Sequence, residues 1–229
     1  MPLRDYQQRA ITLLYAWLSC HSGNPCIVAP TGSGKSHIIA GLCRDILNRW
    51  AQSKILILSH VKELLEQDAE KIRLAWGDSA PLGIYSAGLG HKDCGCAITV
   101  AGIQSVRNRA DLIGFVDLVI VDEAHLISHK AEGGYRTLLN ALLLRNPNLR
   151  IVGLTATPYR LGHGLISENG ALFDGIIEPV KIEELVARGF LAPLRSKLPN
   201  TVLDVHGVKK HGGEFVASEL QAAVDTDRD

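Results

Sequence analysis

The run Ala29-Pro30-Thr31-Gly32-Ser33-Gly34-Lys35-Ser36 lies between a short apolar segment, Cys26-Ile27-Val28, and an apolar-periodic segment that starts at His37. A strand, a glycine-rich turn and a helix in that order bring backbone N–H groups and the positive end of the helix dipole to one point in space. Anionic oxygens bind at such a point, and a lysine followed by a hydroxyl residue supplies charge and a ligand for Mg²⁺. Thr31, Gly32, Ser33, Gly34, Lys35 and Ser36 are therefore expected to cradle the phosphates of a nucleoside triphosphate. This constraint also selects the fold, because the loop works only where a buried strand feeds a helix.

Further apolar runs recur at Lys54–Ser59, Ala97–Val100, Asp117–Val121 and Arg150–Leu154, with helical periods at Lys35–Trp50, Val61–Trp76 and Tyr135–Arg145. Runs such as Ile55-Leu56-Ile57-Leu58 and Leu118-Val119-Ile120-Val121 are continuous rather than alternating. They predict strands covered on both faces, hence an α/β domain with a mostly parallel central sheet and helices on either side. Right-handed crossovers then gather the loops that follow the strands on one edge, where ligands bind. Beyond Pro158 the pattern becomes irregular. A short helix is expected over Ile182–Arg188, stopping at Gly189, and a last apolar strand near Thr201–Val205.

Lys plus Arg and Asp plus Glu stand at 24 each in 229 residues, so any polyanion partner has to be met by a local patch rather than a basic face. The five cysteines are an odd number, and Cys26 and Cys43 fall in core-like segments, which favours a reducing compartment over a disulfide framework. His91, Cys94 and Cys96 lack the second ligand pair of a structural zinc site and read as a turn. The sequence has neither a signal-peptide pattern nor an apolar run of membrane-spanning length. A cytoplasmic protein is expected.

A second motif narrows the chemistry. Asp122-Glu123-Ala124-His125 follows directly on the apolar run ending at Val121, so its acids emerge on the same edge as Lys35. One acid can hold Mg²⁺, and the other can orient and deprotonate an attacking water; Asp122 is assigned to the metal and Glu123 to the water. The run Ile151–Leu154 ends in Thr155-Ala156-Thr157-Pro158, whose hydroxyls can bond a neighbouring acid or His125. Ahead of the phosphate loop, Leu3-Arg4-Asp5-Tyr6-Gln7 opens an amphipathic helix, and the Gln7 amide matches the donor and acceptor edge of adenine.

Taken in order, these segments resemble superfamily 2 helicases and translocases of the DEAH type. Leu3–Gln7 resembles the adenine-recognising Q motif, Ala29–Ser36 motif I, Ser59–Leu64 motif Ia, Ile103–Val106 motif Ib, Asp122–His125 motif II and Thr155–Thr157 motif III. The stretches Gly153–Gly164 and Ala171-Leu172-Phe173 resemble the RadD-like bacterial DNA repair helicases, relatives of the motor subunits of type III restriction enzymes. The resemblance implies a first RecA-like domain over about residues 1–200, with 201–229 leading towards a second RecA-like domain that this chain lacks.

It further implies ATP and Mg²⁺ as ligands, with Arg4 and Gln7 at the base, Lys35 at the β- and γ-phosphates, and Ser36 and Asp122 at the metal. His125, Thr155 and Thr157 would couple hydrolysis to movement. His60, Lys62, Gln104 and Ser105 would contact a DNA backbone; Arg107 and Arg109, which follow closely in the sequence, are either further strand contacts or part of a solvated face. The expected activity is ATP-driven movement on DNA, weak in this lobe by itself because the arginines of the second lobe complete the catalytic site. A restriction-type translocase and a nucleotide-dependent interaction module are the alternatives.

Overall fold

The computed structural model describes residues 2–127, 133–160, 164–168, 170–193, 207–211, 214–215 and 218–221. In chain order its main elements are α1 (Asp5–Cys20), β1 (Pro25–Val28), α2 (Lys35–Arg49), β2 (Ile55–Ser59), α3 (Lys62–Trp76), β3 (Leu82–Ser86), β4 (His91–Lys92) and β5 (Ile98–Gly102). They continue as α4 (Ile103–Val106), α5 (Ala110–Ile113), β6 (Leu118–Val121), α6 (Gly134–Arg145), β7 (Arg150–Thr155), a small hairpin of β8 (Tyr159–Arg160) and β9 (Gly164–Leu165), β10 (Gly175–Ile177) and α7 (Ile182–Ala187). The central sheet has the order β10-β1-β7-β6-β2-β5-β3-β4, parallel throughout except for the β3–β4 pair.

Alternate residues of each central strand feed two cores, as a doubly covered sheet requires. Ile27, Ile55, Ile57, Ile120, Val152 and Leu154 pack under α1, α2 and α3. Cys26, Leu56, Leu58, Val119, Val121 and Ile151 pack with α6 residues and Phe173 on the opposite face. A glycine is required in β7, since a Cβ on Gly153 would lie 2.6 Å from the Phe173 ring. That ring belongs to the segment leading into β10, so the irregular region beyond Pro158 is anchored on the sheet rather than separate from it.

The five expected strands and the expected helices are present, with ends shifted by one or two residues. Three strands of the central sheet went unforeseen, as did the β8–β9 hairpin. β3 and β10 each carry a glycine and are short, and β4 has only two exposed polar residues, so none has a strong apolar period of its own. Their existence depends on pairing with β5, β1 and β3. The strand expected near Thr201–Val205 lies outside the described residues, as does the 200/201 boundary. Among the described residues no helix is long and apolar enough to cross a membrane.

Candidate nucleotide site at the sheet edge

β7 sits between β1 and β6, so the phosphate loop after β1, the acids after β6 and the threonines ending β7 leave three neighbouring strands on the same edge. Register fixes their height: Val28 pairs with Thr155 and Val121 with Gly153, and Ala29 N donates to Thr155 O at 2.9 Å. Gly32 and Gly34 turn the loop with φ of 79° and 82°, a left-handed conformation that a side chain resists. Space is closed as well, because a Cβ on Gly32 would lie 2.7 Å from Leu191 and one on Gly34 would lie 2.7 Å from the Gln7 amide nitrogen.

A continuous polar chain crosses this edge. Lys35 Nζ lies 3.2 Å from Glu123 Oε1, and His125 Nδ1 lies 3.3 Å from Glu123 Oε2. The same His125 nitrogen is 2.8 Å from Thr155 Oγ1, which in turn accepts from Thr157 N and donates to Thr157 O, both at 3.1 Å. A carboxylate only accepts, and the Thr155 hydrogen is directed at Thr157 O, so the network assigns the imidazole hydrogen to Nδ1. Glu123 has φ 49°, the one positive φ outside glycine among the described residues. That conformation costs about 1–2 kcal/mol and is held because Lys35 and His125 grip the two carboxylate oxygens.

Burial pushes the Glu123 carboxyl up, but the His125 hydrogen bond and the Lys35 charge outweigh it and hold the group below its ordinary value. Glu123 is therefore ionised at neutral pH and able to take a proton. Asp122 behaves oppositely: burial, then the Glu123 charge, raise its pKa. Only 2% of Asp122 is exposed, and its Oδ1 has no hydrogen-bond partner. A buried carboxylate oxygen without a partner is costly unless a cation or donor arrives. Ser36, the second residue of α2, is also buried.

Tyr6 and Gln7, in the first turn of α1, clamp the loop. Tyr6 OH and Gln7 Nε2 both donate to Ser33 O at 2.9 Å, while Gln7 Oε1 accepts from Arg4 N at 2.9 Å and so caps α1. The Gln7 amide thus keeps one hydrogen and one lone pair for a ligand. The Arg4 guanidinium donates to Tyr6 OH at 3.0 Å and stacks 4.4 Å over Phe190. Sequence reasoning missed Phe190 and Leu191, which pack on Tyr6 and Gly32 from the irregular region. It also missed Asp68, a fully buried carboxyl in α3 whose pKa is raised by burial first and by Asp122 second.

His60 and Lys62 follow β2, and Gln104 and Ser105 follow its neighbour β5, on the other half of the same edge. Lys62 and Gln104 are exposed, and Ser105 Oγ accepts from Ala87 N at 2.9 Å, fastening α4 to the turn after β3. His60 is exposed and opens the turn into α3. These four are brought to one ridge but not into the phosphate site.

Residues 1–160 match the family described as type III restriction enzyme, res subunit. The chain belongs to that family. As a res-subunit family domain it shares its fold with helicase and restriction-enzyme structures. It is 30% identical over 205 residues to a protein of the Sulfolobus islandicus filamentous virus provisionally named helicase 22, a match covering 84% of this chain and 34% of the viral protein. The UvsW helicase of bacteriophage T4 superposes with a TM-score of 0.59 at 22% identity, over 78% of this chain and 61% of UvsW. The type ISP restriction-modification enzyme LlaBIII, solved bound to DNA, superposes with a TM-score of 0.57 at 17% identity, over 82% of this chain and 16% of LlaBIII. The res-subunit family domain thus spans about a third of its viral relative, and at these identities the solved structures share its fold.

Proposed function

We propose that this chain is the nucleotide-binding lobe of an ATP-dependent DNA helicase or translocase, of the RadD-like DNA repair branch, completed by a second RecA-like lobe. The observation that carries the reading is the unbroken contact series Lys35–Glu123–His125–Thr155 beside the unpartnered oxygen of Asp122. The donor set suits Mg²⁺, which prefers a few hard oxygens: a Ser36 hydroxyl and an Asp122 carboxylate, the latter in need of a cation. When bound, the ion would neutralise charge on the phosphates.

The remaining work falls to side chains of this chain. Lys35, now paired with Glu123, turns to the β- and γ-phosphates when a triphosphate fills the loop. Glu123 is then released to orient water and accept its proton at Oε. Loss of the Lys35 contact and gain of a proton both change what His125 Nδ1 feels from Glu123. The imidazole passes that change to Thr155 and Thr157 through the 2.8 Å bond. Arg4 and the remaining Gln7 valences flank the base. His60, Lys62, Gln104 and Ser105 meet the phosphodiester backbone of DNA, which a moving motor contacts without reading sequence.

Arginines from a second lobe are worth about 10³–10⁵ in rate in such sites, so this lobe by itself is slow. The family match to a restriction enzyme subunit favours one second reading, a translocase that serves a nuclease. The test is ATP turnover by the chain joined to its second lobe, with single-stranded DNA, double-stranded DNA, RNA and no nucleic acid. Stimulation by DNA and loss of turnover in Glu123→Gln support the motor. Turnover indifferent to every nucleic acid, with partner binding intact in Glu123→Gln, supports a nucleotide-dependent interaction module instead.

A further inference from the structure

Asp68 is an anomaly in this fold. It lies within α3 at the apolar stripe formed by Leu65, Ala69 and Ile72, is 0% exposed, and neither carboxyl oxygen accepts a hydrogen bond of regular geometry. An ionisable group held this way costs several kcal/mol unless something repays it, of the order of 1–3 kcal/mol for the missing hydrogen bond alone. Its surroundings say what that something is. The electrostatic neighbours of Asp68 are Asp122, Lys35 and Glu123, and the Ser36 hydroxyl is near enough to favour its charged form. Asp68 therefore borders the phosphate site from α3, which packs against α2.

A hydroxyl can give a lone pair to a cation only while its hydrogen points elsewhere. Ser36 is buried, and the acceptor beside its hydroxyl is Asp68, although the two do not form a hydrogen bond of regular geometry here. Asp122 lies nearby but is needed for the cation itself. We propose that Asp68 is a positioning residue for Ser36: it accepts the Ser36 hydroxyl hydrogen and so turns the oxygen's lone pairs towards the metal. The bond forms as the loop tightens around Mg²⁺–nucleotide, which gives the two unpartnered Asp68 oxygens their role. Because α3 starts at Lys62, the same helix carries that candidate DNA contact at its first residue and Asp68 six residues later.

This inference rests on the proposed nucleotide site, and its test separates the two. Affinity for ADP bearing a fluorescent N-methylanthraniloyl group is measured against Mg²⁺ concentration and in EDTA, for the wild type, three single variants and the Asp68→Leu/Ser36→Ala double variant. Asp68→Leu has the same shape but no acceptor, Asp68→Asn keeps an acceptor oxygen, and Ser36→Ala removes the hydroxyl. Outer-sphere supports of metal ligands are worth about 10–100-fold in metal affinity. Asp68→Leu is expected to raise the Mg²⁺ concentration at half-effect by at least about tenfold, with affinity in EDTA unchanged. Asp68→Asn stays within about threefold of wild type, and Asp68→Leu adds nothing to Ser36→Ala. Unchanged Mg²⁺ dependence in Asp68→Leu, an equal loss in Asp68→Asn, or additive losses with Ser36→Ala would each overturn the assignment. Should Asp68→Leu not fold, Asp68→Ala replaces it under the same criteria. A wild type whose nucleotide affinity ignores Mg²⁺ removes the underlying site reading as well.

Discussion

Replacing Glu123 by glutamine should tighten nucleotide binding while stopping hydrolysis. In the structure Lys35 is engaged before any phosphate arrives: its ammonium lies 3.2 Å from Glu123, with the two side chains only 13% and 19% exposed. At that separation and an effective dielectric of about 20, the gross attraction is about 5 kcal/mol, most of it offset by desolvation. A charge-assisted hydrogen bond is worth about 1.5–3 kcal/mol net, and the incoming phosphates must compete with it for Lys35. Taking the lower end, Glu123→Gln returns about 1.5 kcal/mol, or roughly tenfold in affinity for a non-hydrolysable ATP analogue with Mg²⁺. The same change removes the proton acceptor, worth about 10²–10⁴ in rate. Calorimetric titration of wild type and Glu123→Gln reads the first effect, and single-turnover hydrolysis in the two-lobed protein reads the second. Equal or weaker binding by a folded Glu123→Gln would refute the claim that Glu123 holds Lys35 in reserve.

Two further outcomes follow from the same geometry. Thr155→Val fits a fully buried position but deprives His125 Nδ1 and Thr157 N of their 2.8 and 3.1 Å partner; denaturant unfolding should show a loss of about 1–3 kcal/mol, and DNA stimulation should fall while nucleotide affinity stays. Undiminished DNA stimulation in that variant would break the proposed coupling route. For Asp68 the sign is that of a carboxyl whose folded pKa is raised, to about 8. Between the ordinary carboxyl range and that value the folded chain keeps a proton the unfolded chain has released, so stability falls as pH rises across the interval. Asp68→Asn should lessen that fall in thermal unfolding without nucleotide, and an identical slope in both proteins would count against a buried, unpaired Asp68.

Much of this site was legible because its parts are local. Ala29–Ser36 and Asp122–His125 each follow a continuous apolar run, and a run covered on both faces carries its own signature into the fold. The neighbouring order β1-β7-β6 was not written in any one segment, yet the rim followed from right-handed crossovers. Less visible were residues whose importance comes from distant packing. Asp68 stands among Glu66, Gln67 and Glu70 and reads as a solvated face, though its spacing with Leu65, Ala69 and Ile72 places it on the buried stripe. Phe190 and Leu191 sit in a stretch without period, and only the folded chain brings them against Arg4, Tyr6 and Gly32. The Gln7 amide was read as facing a base, whereas half of its bonding capacity is spent on Ser33 and Arg4.

The central claim is that a triphosphate and Mg²⁺ are held where Lys35, Ser36, Asp122 and Glu123 meet. Equilibrium binding of ATP with Mg²⁺ to the wild type and to Lys35→Ala tests it directly. The account predicts saturable binding by the wild type and a loss of about 10–100-fold or more in the variant, the worth of one or two charged hydrogen bonds. Equal affinity in the two proteins, with the variant folded, would contradict it.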